Sequence, residues 1–271
     1  MSEPAATVLI RTKDEAESIG RLLELLDRQT IADRLERVVV DSGSRDATPS
    51  IVRAAGIEPI EMPAHEFTFG RSLNIGSAEA SAPIVIALSA HAYPQDDGWA
   101  ERMVAAFDDE RVACACGALE DPFGMPLDGP LKLDRELAAQ APFYGYSNAA
   151  GGYRRSLWLR HPFREDMPGT EDKEWGWHWL NEDRLVLFDP ALEVEHDHSH
   201  DPLPSVYERA RREWVGFGMY LDLPPYTLGS LARQWWSELD GHETHSRARL
   251  SPWRCARLLG KYSGRRAAAR S

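Results

Sequence analysis

The feature that most constrains the fold is a short β-branched run that stops abruptly in polar residues and is followed by helical spacing. Val38-Val39-Val40 ends in Asp41-Ser42-Gly43-Ser44-Arg45-Asp46, and a helix is expected over residues 48–55, closed by Gly56. Ile84-Val85-Ile86-Ala87-Leu88 ends the same way, in Ser89-Ala90-His91. Runs this short and this apolar are strands covered on both faces. Residues 7–10 and 57–62 supply two more. Helices are expected from about Ala16, through Ile19, Leu22, Leu23, Leu25 and Leu26, and from Phe69 to about Ala80. Strand, loop, helix and strand in repetition specify an α/β fold: a mostly parallel, Rossmann-like central sheet flanked by helices.

Further along, residues 99–107 read as helix, 112–118 as strand, 122–130 as a Pro/Gly loop and 131–139 as helix. Residues 148–155 read as a glycine-containing turn, 175–180 as helix, and 185–188 and 191–194 as short strands. Helices over 205–220 and 227–239 are separated by Pro224-Pro225, and 265–271 read as frayed. The expected division is a catalytic and ligand-binding domain over 1–202 and a basic, mainly helical C-terminal extension over 203–271.

Charge supports that division. The chain carries a net charge of -12 over 271 residues, yet beyond residue 203 the balance turns basic. An acidic body with a basic tail points to an anionic partner for the tail. No nucleic-acid recognition module is present, so nucleic acid is not an expected partner. No apolar run approaches the ~20 residues of a membrane span, and residues 1–6 do not open a signal peptide. The cysteines, Cys114, Cys116 and Cys255, are too few for a disulfide framework, and the expected location is cytoplasmic. Cys114 and Cys116 face one side of a strand as small apolar residues.

In an open α/β sheet ligands sit beyond the carboxyl ends of the strands. Thr12, Lys13, Glu15, Asp41, Ser44, Asp46, Ser89 and His91 occupy those ends. Carboxylates there suit the hydrogen-bond donors of a base or ribose, and Asp46 is equally suited to cap a helix. A dinucleotide fingerprint and a P-loop are both absent. His196-Asp197-His198-Ser199-His200 alternates imidazoles that can reach one divalent ion shared with substrate phosphates. Glu171-Asp172 stands at a loop-to-helix junction, placed for a general base or simply favoured by the helix dipole. Trp175, Trp177 and Trp179 follow as apolar platforms for sugar rings.

In this order the motifs resemble family 2 glycosyltransferases of the GT-A fold, in particular the rhamnosyltransferase-like branch. The matching pieces are Ile10-Arg11-Thr12-Lys13-Asp14-Glu15, residues 38–46, Phe69-Gly70-Arg71-Ser72-Leu73-Asn74, Leu88-Ser89-Ala90-His91-Ala92, residues 168–175 and residues 196–200. The resemblance implies transfer of a sugar from a nucleotide donor, a dTDP- or UDP-sugar favoured, to a hydroxyl acceptor with inversion. The acceptor is a glycan, a lipid-linked molecule or a small molecule. By position, Thr12, Lys13, Glu15, Asp41 and Ser44 resemble the nucleotide-binding residues. Arg71, Asn74 and Ser89 resemble those near the diphosphate and donor sugar. Asp172 matches the general base, with Glu171 and Trp175 on the acceptor or sugar side. Where the family carries Asp-x-Asp, this chain carries Ser89-Ala90-His91. A Mn²⁺ or Mg²⁺ ion is then expected on the diphosphate, His91 and His198, with His196 as the alternative ligand. For the basic extension three readings stand: closure over the diphosphate, peripheral contact with an anionic membrane face, and a homodimer contact. A sugar-1-phosphate nucleotidylyltransferase is the rival enzyme, though Arg11-Thr12-Lys13 lacks the glycine its triphosphate loop needs. A non-catalytic nucleotide-sugar-binding module is the other rival.

Overall fold

The computed structural model describes residues 3–196, 201–237 and 251–269. Its strands are β1 (Ala6–Thr12), β2 (Leu35–Asp41), β3 (Ile60–Glu61), β4 (Ile84–Ser89), β5 (Tyr93–Pro94), β6 (Val112–Cys116), β7 (Leu131–Leu133), β8 (Ala150–Arg154), β9 (Leu185–Phe188) and β10 (Val194–Glu195). The helices are α1 (Ile19–Asp27), α2 (Thr48–Ala54), α3 (Phe69–Glu79), α4 (Trp99–Ala105), α5 (Arg135–Gln140), α6 (Arg155–Trp158), α7 (Glu171–Asn181), α8 (Leu203–Gly218), α9 (Leu228–Ser237) and α10 (Pro252–Ala268). The chain divides into two compact units, Met1–Asp166 with Trp175–His196, and Met167–Glu174 with Asp197–Ser271. Relative to the division expected at 202, the first unit ends earlier and the segment 167–174 joins the second.

The first unit is the expected α/β sheet, in the order β3-β2-β1-β4-β8-β6-β9-β7. β3, β2, β1 and β4 run parallel, as do β6 and β9; β8 is antiparallel to both β4 and β6, and β7 is antiparallel to β9. Alternate residues of the central strands feed two separate cores. Val8, Ile10, Ile86 and Leu88 pack with Leu22, Leu26, Trp99 and Met103 of α1 and α4. Leu9, Val40, Val85 and Ala87 pack on the other face with Leu73 of α3 and Trp175 and Trp179 of α7. Covering both faces is what makes these strands continuously apolar.

Several local expectations are corrected. Residues 148–155 are not a turn: β8 lies in the middle of the sheet. Its Gly151 and Gly152 are there for close packing, since a Cβ on Gly152 would lie 2.9 Å from the Phe107 ring and 3.0 Å from Met103 Sδ. Residues 131–139 split into β7 and α5, because the Asp134 carboxylate accepts from Leu137 N at 2.9 Å and starts the helix there. Of residues 191–194, only Val194 is strand, after a 3₁₀ turn over Pro190–Leu192. α1 starts at Ile19 rather than Ala16, and α7 starts at Glu171 rather than Trp175.

The second unit is helical. α8 and α10 approach until their backbones touch: a Cβ on Gly260 or Gly264 would fall under 3.0 Å from Tyr207 O or Arg211 O. α10 extends to Ala268, through residues expected to fray. Much of the basic charge is used internally. Arg254 is buried and donates to Trp235 O at 3.0 Å and Gln234 O at 3.2 Å, close to the C-terminus of α9 where a cation is favoured. Lys261 and Arg265 lie over the Trp214 ring at 4.2 and 5.2 Å. Among the described residues no helix is long and apolar enough to cross a membrane.

Candidate functional site

The register of the parallel strands places three of the expected residues side by side. Thr12 pairs with Asp41 across β1 and β2, and Arg11 pairs with Ser89 across β1 and β4. Thr12, Asp41 and Ser89 therefore end three neighbouring strands at one edge of the sheet. The Thr12 hydroxyl is buried with no hydrogen-bond partner. A buried unpartnered hydroxyl at a strand end is where a ligand or water is expected. Missed by sequence reasoning, Arg11 donates from Nη2 to Asn148 Oδ1 at 2.7 Å and Asn148 O at 3.0 Å at the same edge. The polar side chain before Thr12 was the available signal.

The two loops beyond β1 and β2 are stitched together. The buried Asp41 carboxylate accepts from Ser44 Oγ at 2.6 Å and from Ser44 N at 3.0 Å. Ser44 Oγ in turn accepts from Asp14 N at 2.8 Å, and Asp14 Oδ1 accepts from Arg45 N at 2.7 Å. Gly43 makes the turn possible at φ +83°. Asp46 accepts from Thr48 N at 2.9 Å and from Ala16 N at 3.0 Å, so it serves as a loop brace and helix-start residue. These bonds hold its carboxyl below the ordinary aspartate pKa, the Thr48 hydroxyl contributing most. Lys13 is exposed beside this brace.

Beyond β4, His91 Nδ1 and Glu15 Oε1 are 2.8 Å apart. Burial acts to raise the Glu15 carboxyl, but the hydrogen bond and charge of a protonated His91, with a hydrogen bond from Ser18, together leave its pKa lowered. In the neutral ring a carboxylate at this distance favours the proton on Nδ1 and the lone pair on Nε2, the tautomer of carboxylate–histidine–metal arrangements. His196 is brought alongside by the β5–β10 ladder, in which Glu195 faces Tyr93. Arg21 pins that ladder to α1, with paired bonds to Glu195 at 3.0 and 2.6 Å and its guanidinium 3.9 Å over the Tyr93 ring. The His91 and His196 rings stack at 4.9 Å and 19°. Near-parallel rings do not aim two lone pairs at one point. Among the described residues no three His, Cys, Asp or Glu side chains gather to hold an ion; His198 lies outside them. Among the described residues the chemistry fits an ion held by one of these two imidazoles and completed by ligand oxygens.

On α3, Thr68 caps the helix by accepting from Arg71 N at 3.0 Å. Arg71 reaches Glu66 at 2.6 Å and Glu165 at 3.5 Å, half exposed, so its guanidinium can be drawn away by a stronger anion. Asn74 is committed. Its Oδ1 accepts from Trp158 Nε1 at 2.9 Å and Phe163 N at 3.0 Å, and its Nδ2 donates to Phe163 O at 2.8 Å and Glu165 Oε1 at 3.0 Å. That uses all its donors and both lone pairs, so Asn74 latches residues 163–165 to α3.

Trp175 is corrected. It is fully buried, donates to His161 O at 2.6 Å and packs against Tyr153, Phe163 and Trp179. An indole enclosed in the core of the first unit is no platform for a sugar.

In the second unit, Glu171 and Asp172 open α7. Glu171 is buried, while Asp172 is partly open and its Oδ1 accepts from Lys173 N at 2.8 Å. Burial raises the Glu213 carboxyl and the Tyr220 hydroxyl, and the charge of Asp172 adds to both shifts.

The solved structures similar to this chain share its fold. A mannosyltransferase from Pyrobaculum calidifontis, in complex with GDP-Man and Mn²⁺, superposes with a TM-score of 0.67 at 19% identity, over 99% of this chain and 87% of that one. S. aureus TarS 1-349 in complex with UDP-GlcNAc gives 0.58 at 15% identity, over 98% and 91%. Glucosyl-3-phosphoglycerate synthase from Mycobacterium tuberculosis, with Mn²⁺, UDP and glucosyl-3-phosphoglycerate, gives 0.58 at 16% identity, over 81% of each chain. By sequence, no curated protein matches. The model of glycosyl transferase family 2 matches residues 7–165, a span that holds every strand-end residue described above, and the chain belongs to that family.

Proposed function

We propose that the chain transfers a sugar from a nucleotide-sugar donor to a hydroxyl acceptor with inversion at the anomeric carbon. The observation that carries this reading is the alignment of Thr12, Asp41 and Ser89 at three adjacent strand ends, with the His91–Glu15 pair beside them. Family membership favours it over the nucleotidylyltransferase.

In this reading the Asp41–Ser44 loop and the Thr12 hydroxyl receive the nucleoside, and Ser89, Arg71 and Lys13 meet the diphosphate. His91 with His198 would hold a divalent cation on the diphosphate, whereas His196, stacked on His91, does not share an ion with it in this arrangement; when bound, the ion neutralises charge on the leaving group. Asp172 takes the acceptor's proton as the acceptor oxygen bonds to the anomeric carbon. The bond from that carbon to the diphosphate oxygen breaks, and the nucleoside diphosphate leaves with the electron pair. The similar solved structures hold GDP-Man in one case and UDP-GlcNAc in another, so the preference for a dTDP- or UDP-sugar is the finer part of the proposal. The basic extension keeps its three candidate roles; α9 exposes Leu228 and Trp236, which suit either a membrane face or a second copy.

The test is a thermal-shift panel of dTDP-, UDP- and GDP-sugars with and without Mn²⁺, since a bound donor stabilises by mass action. Turnover is then measured with the binding donor. Asp172→Asn is expected to keep donor affinity while losing at least roughly 10²-fold in kcat. No shift with any donor, or wild-type turnover in Asp172→Asn, rejects the reading.

A further inference from the structure

The residue just before the Glu171-Asp172 pair is under strain. Thr170 has φ +63°, and the other non-glycine residues with positive φ among those described are both aspartates, Asp14 and Asp183. Aspartate tolerates that region, whereas a β-branched residue there is an outlier. Thr170 nevertheless starts α7: its carbonyl accepts from Glu174 N at 2.9 Å, and its hydroxyl donates to Gly169 O at 2.6 Å. A conformation of this kind persists only where its surroundings impose it.

Within the second unit α8 does so. Gly216 sits so close to the Gly169-Thr170 turn that a Cβ on it would fall under 3.0 Å from both Gly169 O and Thr170 Oγ1. One turn earlier on α8, Arg212 Cβ and Glu213 N lie 3.6 and 3.7 Å from the Cβ position of Gly169. The turn therefore rests on α8 from Arg212 to Gly216. α10 backs α8 from the other side through Gly260 and Gly264. Glu213 and Tyr220, three residues before and four after Gly216, both feel the charge of Asp172.

We infer that Gly216 is a positioning residue for Asp172: by admitting the Gly169-Thr170 turn against the backbone of α8, it fixes the first turn of α7 and the direction of the Asp172 carboxylate. The inference rests on Asp172 acting as the base, as proposed above. It gives the C-terminal extension a part in the chemistry, since the helix that sets the base belongs to residues 203–271.

The test uses the full chain and release of nucleoside diphosphate from whichever of GDP-mannose, UDP-GlcNAc and dTDP-rhamnose gives the largest thermal shift. Gly216→Ala is expected to lose roughly 10²-fold in kcat, the scale set by a displacement of about 1 Å at a reacting group. Donor affinity should stay within about twofold of wild type. Thr170→Gly added to Gly216→Ala removes one clashing atom and lets the turn adopt its positive φ, or shift from it, without a β-branched side chain's strain, and should recover at least roughly tenfold of the loss. A general loosening would instead lower kcat and donor binding together and would not be rescued, which overturns the inference, as does a Gly216→Ala kcat within about twofold of wild type. If Gly216→Ala fails to fold by circular dichroism, the double variant carries the assay; failure of both to fold overturns the inference, because the glycine then serves the whole unit. Asp172→Asn is run alongside. Wild-type turnover there rejects the base assignment itself, while its loss beside an unaffected Gly216→Ala rejects the positioning role alone.

Discussion

Asn74→Ala separates two roles for one side chain. By motif position Asn74 resembles a residue near the donor diphosphate; by geometry it is a latch. Removing its amide leaves three buried groups without partners: Trp158 Nε1, Phe163 N and Phe163 O. The fourth bond, to the half-exposed Glu165, adds little. At about 1 kcal/mol for each buried group left unpaired, the expected loss is about 3 kcal/mol. For a unit of this size that is roughly 6–12 °C in Tm, at about 2–4 °C per kcal/mol. The assay is reversible urea or thermal unfolding, with donor affinity measured on the folded variant. Asn74→Asp keeps the acceptor oxygens but sets a second carboxylate against Glu165, and should lose a comparable amount, with part of the loss restored by Glu165→Gln. If Asn74→Ala costs under about 1 kcal/mol while donor binding collapses, the latch argument is refuted and Asn74 is a ligand contact.

Glu15→Gln should weaken Mn²⁺ binding in the presence of UDP by about 10- to 100-fold, because the carboxylate that orients His91 is lost; electron paramagnetic resonance titration reads free Mn²⁺ directly, and unchanged affinity would remove His91 as a ligand. The stacked pair His161 and His178, 3.7 Å apart, gives a pH signature. Burial chiefly lowers both pKa values, the neighbouring His178 and Arg164 adding to the shift of His161 and Arg160 to that of His178. Folded-state pKa values below the unfolded ~6.5 mean that the unfolded chain binds protons first. The stability of the pair is therefore complete above about pH 6.5 and is lost as pH falls through the lowered folded values. Calorimetry from pH 7.5 to 5.5 should show Tm falling, and His161→Gln with His178→Gln should flatten that slope. Trp175→Ala should cost about 3–5 kcal/mol in unfolding, as for other large core truncations; a loss under about 1 kcal/mol would put the indole back at the surface.

The parallel half of the sheet was legible because β1, β2 and β4 are covered on both faces and so appear as unbroken apolar runs. β8 was not, because Gly151 and Gly152 look like turn residues until Phe107 and Met103, distant in sequence, and the nearer Tyr146 are seen to fill the space a side chain would need. Trp175 misled for a related reason. Three tryptophans at alternate positions say that a helix is aromatic, but not that Tyr153 and Phe163 will enclose one of them. Strand ends are local, so Thr12, Asp41 and Ser89 could be placed from the sequence. The bond between Glu15 and His91 spans 76 positions and left no trace in either neighbourhood. The basic extension read as surface charge because arginine usually is; Arg254 instead lies inside, on the carbonyls at the end of α9.

That long-range bond changes how the Ser89-Ala90-His91 sequence is understood. Taken alone, a hydroxyl and an imidazole where the family resemblance leads one to expect two carboxylates bring no negative charge to the end of β4. The structure returns one charge, but from the loop after β1: the Glu15 carboxylate, its pKa lowered by His91, stands 2.8 Å behind the ring rather than at the ligand face. A carboxylate that touches a cation directly attracts it with or without substrate. One acting through an imidazole orients a neutral ligand and contributes its own charge from a longer distance, where the Coulomb energy is smaller. An ion at this site must therefore draw more of its affinity from the diphosphate than it would at two carboxylates. Metal and nucleotide are expected to bind as a pair, each strengthening the other by the same factor.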